Sequence, residues 1–297
     1  MNISYNTKKK IAGYIFLAPV TILIVAFLIS PMAVSFIRSF TNWSGFSNTF
    51  KFIGLRNYID VFTDSPEFWH GMWVSFRFAI YTLVLQVIIG FLMAYAIYYS
   101  AQRLQSILKV LLYMPVIMPA TAVGLLWMFM YSPDMGLINS FLRMIGLDSL
   151  QRAWIGDYST ALGAVVVANT WRYAGFTMML YLIALQAVPK ELLEAAEIDG
   201  ATKFQVLKKI FIPLTITTTE INAVISFAGS MRAFDMFYIT TQGGPGDATM
   251  AAGIVIYNTA FQSWYFSKAL VMSLIMFLFI LIITLLSRKF LSVRRGD

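Results

Sequence analysis

Six long apolar runs, at about residues 11–37, 72–99, 107–131, 159–184, 211–232 and 268–290, dominate this chain. Each is near the ~20 residues that a helix needs to cross a bilayer. Inside hydrocarbon a segment must satisfy its own backbone hydrogen bonds, which favours helix. Charged residues make up only 12% of the 297 residues, where a soluble domain carries about 25%. The apolar excess, 59% of the chain, is too large for one water-soluble core. The expected fold class is an all-α integral membrane protein with six transmembrane helices. It comprises a short N-terminus (1–10), a membrane domain (11–290) and a short C-terminus (291–297), with no low-complexity tract and no soluble second domain.

Small residues inside the runs, namely Gly90, Ala94, Gly124, Gly163, Ala164 and Gly229, suit close helix approach. The basic residues set the orientation. With the N-terminus in the cytoplasm, the inner segments hold Lys8, Lys9, Lys10, Arg103, Lys109, Lys190, Lys203, Lys208, Lys209, Arg288, Lys289, Arg294 and Arg295, which is 13 of the 22 Lys and Arg. An even number of spans returns the C-terminus to the same side. The net charge of +8 is scattered over short loops, a pattern of membrane orientation rather than nucleic-acid binding. The first run follows a Lys triplet, as a cleaved signal peptide does, but its length and the lack of a prompt small-x-small site favour an uncleaved anchor. The chain has no cysteine and one histidine, His70. Disulfides, a thiol nucleophile and a Cys-based metal site are thereby excluded, and a zinc site or His relay built from this chain alone is disfavoured. Residues 38–71 are rich in aromatics, including Phe40, Trp43, Phe46, Phe50, Phe52, Tyr58, Phe62, Phe68 and Trp69. Two readings fit them: an interfacial aromatic belt, or a small ordered cap that packs on a partner.

One segment breaks the apolar pattern. Between Lys190 and Lys209 the chain places eight charged side chains, in the loop (about 189–210) that joins spans four and five on the cytoplasmic side. Pro189 suits a first helical turn, and Glu191 and Glu194 favour the positive end of the helix dipole. Gly200 suits the left-handed residue that stops a helix. Phe204, Leu207, Ile210 and Phe211 then recur at helical spacing, with Pro213 at the start of the next span. The segment reads either as a solvated connector or as a docking element, and the smooth Ala195-Ala196 pair beside a glycine break suits docking.

These residues resemble the EAA loop of bacterial ABC importer permeases: Glu194-Ala195-Ala196, then Asp199-Gly200-Ala201, Ile210 and Pro213. Further stretches resemble the carbohydrate branch with its maltose-type subunits: Phe52-Ile53-Gly54-Leu55-Arg56-Asn57-Tyr58 is similar to F-x-G-L-x-N-Y, Gly136-Leu137-Ile138-Asn139 to G-x-x-N, and Thr241-Gln242-Gly243-Gly244-Pro245 to T-x-G-G-P. The likeness covers about residues 11 to 290. It implies a permease subunit of a bacterial inner-membrane sugar importer, multi-pass, with both termini cytoplasmic. Its implied coupling helix, carrying Glu194, Ala195, Ala196, Asp199, Gly200 and Ala201, sits in a cleft of a separate ATPase dimer. The other implied partners are a second homologous permease and an extracytoplasmic sugar-binding protein. ATP and Mg are expected on the ATPase and no cofactor on this chain. Consistent with that, Gly243-Gly244-Pro245-Gly246 lacks the G-K-[ST] ending of a phosphate loop and reads as a tight turn.

Polar groups within spans are costly and usually functional or packed together. Span four holds Asn169, Thr170, Trp171, Arg172 and Tyr173; span five holds Ser226, Ser230, Arg232 and Asp235, with Glu220 and Asn222 towards its inner half. Hydroxyl-binding groups and aromatic faces, the mixture a sugar needs, thus occur within two turns. By distance from the EAA glutamate, the resemblance implies substrate contacts at Asn169, Arg172, Tyr173, Phe176, Ser226, Ser230 and Ala233, and from the third span at Val116 and Ala120. Asn169 and Ser226 match the maltose-type residue and the other seven depart, which implies a ligand other than maltose. Arg172 either meets an acidic sugar or a phosphate, or pairs with Asp235. The implied function is ATP-driven sugar import by alternating access, with no enzyme activity on this chain. A glycerol-phosphate importer shares the same motifs. An ion-coupled secondary transporter would need intramembrane acids and often two inverted halves, and only Glu220 and Asp235 are available. An intramembrane enzyme would need a catalytic constellation that the lone His70 does not supply.

Overall fold

The structure is a computed structural model that describes residues 5–46 and 49–292, with side chains described within 13–287. The expected termini, 1–10 and 291–297, and the side chains of Lys8, Lys9, Lys10, Arg288, Lys289, Arg294 and Arg295 lie outside the described residues or side chains. The described chain is helical, with a single isolated bridge, Thr41 to Phe52, and no strand. Helix α1 (Tyr5–Ile24) passes through a π turn into α2 (Ser30–Arg38). Then come α3 (Arg56–Thr63), α4 (Pro66–Tyr98), α5 (Gln102–Ile117), α6 (Ala120–Met130), α7 (Leu137–Met144), α8 (Ala161–Gln186) and α9 (Lys190–Ile198). They are followed by α10 (Lys203–Val206), α11 (Ile212–Leu214), α12 (Ile216–Met231), α13 (Asp235–Thr240), α14 (Ala252–Tyr257) and α15 (Phe266–Ser292). By length and composition three helices are able to cross a membrane, Gly13–Arg38, Pro66–Tyr98 and Phe266–Ser287, and up to six if each bent helix pair counts as one span.

Two of the expected continuous runs are broken. The run at 107–131 is α5 and α6, bent by 100°. Met118 precedes Pro119, whose ring disfavours helical backbone at the residue before it, and Met118 is extended (φ −67°, ψ 138°). The run at 211–232 bends by 63° at Thr215. Pro213 offers no N–H and its ring crowds the preceding turn. The residues before it, Leu207–Phe211, widen into a π turn, and the Thr215 hydroxyl donates to the Phe211 carbonyl at 2.8 Å. The small residues divide as well. A Cβ on Gly90 would meet Thr177 and the Met178 backbone, and one on Gly124 would meet Ile239, so both sit at close approaches. Gly163 and Gly229 face open space, contrary to expectation, and the tightest helix contact falls instead on Gly175, against the Leu112 backbone.

The described chain forms two compact units, Met1–Pro66 with Ile256–Ile275, and Glu67–Val255 with Met276–Asp297. In the first, the aromatic loop is folded on itself. The Asn57 amide donates to the Ser39 and Thr41 carbonyls, both at 2.8 Å, and Tyr58 shares a 2.8 Å hydrogen bond with Ser39. Phe40 packs on Phe52 and Tyr58, while Phe46 sets its edge against Trp264 and Phe266. Gly54 takes the left-handed conformation, φ +63°, that lets the chain turn into α3.

In the second unit, one core gathers Phe78, Trp127, Val165 and Phe237 and another gathers Ile97, Tyr181, Leu185 and Phe211. The loop motifs act as anchors. The amide of Asn139, 2% exposed, donates to the Arg152 and Pro133 carbonyls (2.9 and 3.1 Å) and accepts from the Trp154 indole at 2.8 Å. Thr249 donates to the Gly244 carbonyl at 2.7 Å and closes the glycine-rich turn. Nearby, Asp247 accepts from Tyr158 at 3.0 Å and faces His70 at 3.4 Å. That hydrogen bond and the carboxylate charge push the Tyr158 phenol above its usual range. Asn139→Ala is expected to lower stability by about 2–3 kcal/mol, because it orphans a half-buried indole donor and two carbonyls. Thermal unfolding of the purified chain, read through Trp fluorescence, checks this. A change below 1 kcal/mol would show that water replaces the amide.

Candidate functional site

Asn169, Arg172, Tyr173 and Phe176 occupy positions i, i+3, i+4 and i+7 of α8, so they share one helix face. Ser226 and Ser230 stand one turn apart on α12, and Ala233 follows its end. All seven line one cavity of about 280 Å³. Its wall also includes Gln86, Thr177, Asn222, Arg232, Phe234 and Asp235. Val116 and Ala120 do not line it: they flank the α5–α6 break, which turns them away from a straight third span. Gln86 escaped the sequence reading, although a lone amide inside α4, an otherwise apolar helix, was a usable signal. Asn222, expected only as a polar residue in the inner half of span five and not as a contact, lines the cavity too.

The polar wall is partly knitted together. The Ser226 hydroxyl donates to Gln86 Oε1 at 2.7 Å, and Tyr181 donates to Thr219 at 2.7 Å, tying α8 to α12. Arg172 sends Nη2 to the Met118 carbonyl at 3.3 Å, a carbonyl freed by the helix break. Its guanidinium lies 4.9 Å from the Tyr173 ring centroid. The ion pair with Asp235 considered from sequence is not formed. Three buried polar atoms on the wall lack a hydrogen-bond partner: Arg172 Nε and both side-chain heteroatoms of Asn222. Asn222 is 2% exposed. Unsatisfied buried polar atoms are costly, so a ligand that bonded to these atoms would relieve that cost. No group of three or more His, Cys, Asp or Glu is placed to hold a metal among the described residues.

The charged segment has a different character. Glu194, Ala195 and Ala196 lie on α9, Asp199 caps it, and Gly200 is left-handed with φ +70°. Backbone N–H groups of Gly200 and Ala201 return to the Glu197 and Ala196 carbonyls at 3.0 and 2.9 Å, closing the helix. Thr202 and Gln205 form a capping box that starts α10. Leu193 packs on the core around Phe211. Leu192, Ile198 and Phe204 remain exposed. The elbow therefore carries apolar and acidic side chains outward and joins α8 directly to α10–α12.

A family described as "Binding-protein-dependent transport system inner membrane component" matches residues 86–292. The chain belongs to this family. It is a transport permease of the ABC type with helices long and apolar enough to cross a membrane. It is 34% identical to a probable ABC transporter permease protein, YurN, of Bacillus subtilis, over 98% of this chain and 99% of that one. It is 31% identical to the trehalose/maltose transport system permease protein MalF of Thermococcus litoralis, over 83% and 82%. The crystal structure of a bacterial ABC transporter involved in the import of the acidic polysaccharide alginate shares the fold, with a TM-score of 0.82 at 22% identity, covering 97% of each chain. The permease resemblance found in the sequence motifs is thus shown at the level of family and fold.

Proposed function

We propose that this permease is one membrane subunit of an ATP-driven importer for a sugar or oligosaccharide, working by alternating access through six spans with both termini cytoplasmic. One observation carries the reading: the exposed elbow from Pro189 to Thr202 joins α8 through α10 and α11 to α12, and α8 and α12 both line the polar cavity. A force on the elbow would move both walls at once. Glu194, Ala195, Ala196, Asp199, Gly200 and Ala201 are the coupling contacts in this reading, docked on a separate ATPase that binds ATP and Mg. A homologous permease completes the pathway and an external binding protein delivers the solute. The relatives named as sugar permeases support the substrate class. Sugars need convergent hydrogen-bonding groups and ring faces, and Asn169, Tyr173, Phe176, Ser226 and Ser230 supply them from α8 and α12 around one cavity; Arg172 and Ala233 complete the proposed contacts.

The test is uptake by proteoliposomes holding the whole complex, with a panel of radiolabelled neutral and acidic oligosaccharides. ATP-dependent uptake that stops when the ATPase is left out supports the proposal. Uptake by this chain alone would overturn it. Asn169→Ala removes a cavity-facing amide and is expected to raise the KM for the transported saccharide about tenfold, the loss of one ligand hydrogen bond. An unchanged KM would move the binding site elsewhere.

A further inference from the structure

We infer that the ligand of this cavity carries an anionic oxyacid group, a carboxylate or a phosphate, that docks on Arg172; the inference rests on the importer reading above. The charged residues lining the cavity are Arg172, Arg232 and Asp235, two cations against one anion. Neither arginine has a carboxylate within 4.0 Å among the described residues. Arg232 turns its Nε back to the Ala228 carbonyl at 3.0 Å, onto its own helix. Arg172 differs. It comes from the middle of α8, a helix apolar enough to count towards a span. Its one protein hydrogen bond is to the Met118 carbonyl, at 3.3 Å, and its Nε is buried without any.

An unpaired guanidinium inside a membrane domain is costly and is normally matched by a counter-charge. Here nothing in the described cavity wall supplies one at contact distance. The Tyr173 ring, 4.9 Å from the guanidinium carbon, holds the planar fork in one orientation. A fixed fork with free N–H groups is matched to a planar carboxylate or to two phosphate oxygens. Around it, Asn222, Asn169 and Ser230 add polar groups suited to hydroxyls. The wall is thus a cation set among hydroxyl-binding groups. A neutral sugar would leave the Arg172 charge without a counter-charge.

The experiment uses the complete complex with its binding protein in proteoliposomes and three probes: trigalacturonate, its neutral counterpart α-1,4-galactotriose, and glycerol 3-phosphate. An anionic probe is expected to be imported with kcat/KM at least tenfold above galactotriose. Arg172→Gln should reduce that ratio at least tenfold, mainly through KM, as removal of a charge-assisted bond does. Import of trigalacturonate assigns the anion to a carboxylate; import of glycerol 3-phosphate alone assigns it to a phosphate. If Arg172→Gln fails to assemble, Arg172→Lys decides: it keeps the charge and loses the fork, so a ratio lowered threefold or more supports the proposal and an unchanged ratio overturns it. Preference for galactotriose, with the ratio indifferent to Arg172, overturns the anion inference and leaves the sugar-importer reading standing. ATP-independent movement of every probe overturns both.

Discussion

Gly175→Ala is expected to be among the most damaging single-methyl changes in this protein. Gly175 lies on α8 where that helix crosses α5. A Cβ there would run into the Leu112 carbonyl oxygen and come within 2.8 Å of the Leu112 carbonyl carbon and 3.0 Å of Tyr113 Cα. All three are backbone atoms, so no rotamer change relieves the contact and the helices must separate. Overpacking of this kind costs about 3 kcal/mol, roughly a 6–12 °C fall in unfolding temperature for a domain of this size. The same helix carries Arg172, Tyr173 and Phe176 within one turn of Gly175, so the cavity wall shifts with it. Gly163→Ala on α8 is the control. No atom lies within 4 Å of its Cβ, and an alanine in a helix interior is about 0.5–1 kcal/mol better than glycine. Thermal unfolding and size-exclusion profiles of the two variants check both expectations. Equal behaviour would mean that α5 and α8 are not held at this separation.

That contrast shows what the sequence carried and what it did not. Apolar runs of bilayer length are legible because hydrocarbon imposes a length and forbids most charge, and the described helices follow them closely at 72–99, 159–184 and 268–290. The face shared by Asn169, Arg172, Tyr173 and Phe176 is legible because a helix repeats every 3.6 residues. Gly163 and Gly175 look alike in sequence, and only the crossing of α5 over α8 separates them. The bend at Met118 is signalled by Pro119, but its 100° angle depends on what packs around it. Val116 and Ala120 flank the bend and do not line the cavity, and the Met118 carbonyl at the bend meets Arg172. Gln86 is hard to single out in the sequence because it stands alone among apolar residues and the partner of this amide, Ser226, is 140 residues away. Arg172 and Asp235 line one cavity without forming a pair, a matter of side-chain reach that spacing does not report.

Gly200→Val is expected to cut ATP-driven uptake tenfold or more in the reconstituted complex while ATP hydrolysis continues. The reason is conformational and not steric. Gly200 has φ +70° and nothing within 4 Å of its Cβ, so a side chain would fit in space and fail in backbone geometry. A left-handed L-residue costs about 1–2 kcal/mol, and 1.4 kcal/mol is a tenfold change in population. The elbow would then favour a continued or unravelled α9 over the closed turn made by the Gly200 and Ala201 N–H groups. Under the coupling proposal the ATPase still grips Glu194, Ala195 and Ala196, but its stroke no longer reaches α12 in the same direction. Gly200→Asn separates this account from a loss of docking. Asparagine tolerates the left-handed region better than other residues with a side chain, so this variant should retain uptake within about threefold, in line with the smaller strain. If valine and asparagine are equally harmful, the surface and not the turn is what the ATPase needs there. If both are harmless, force does not pass through this elbow.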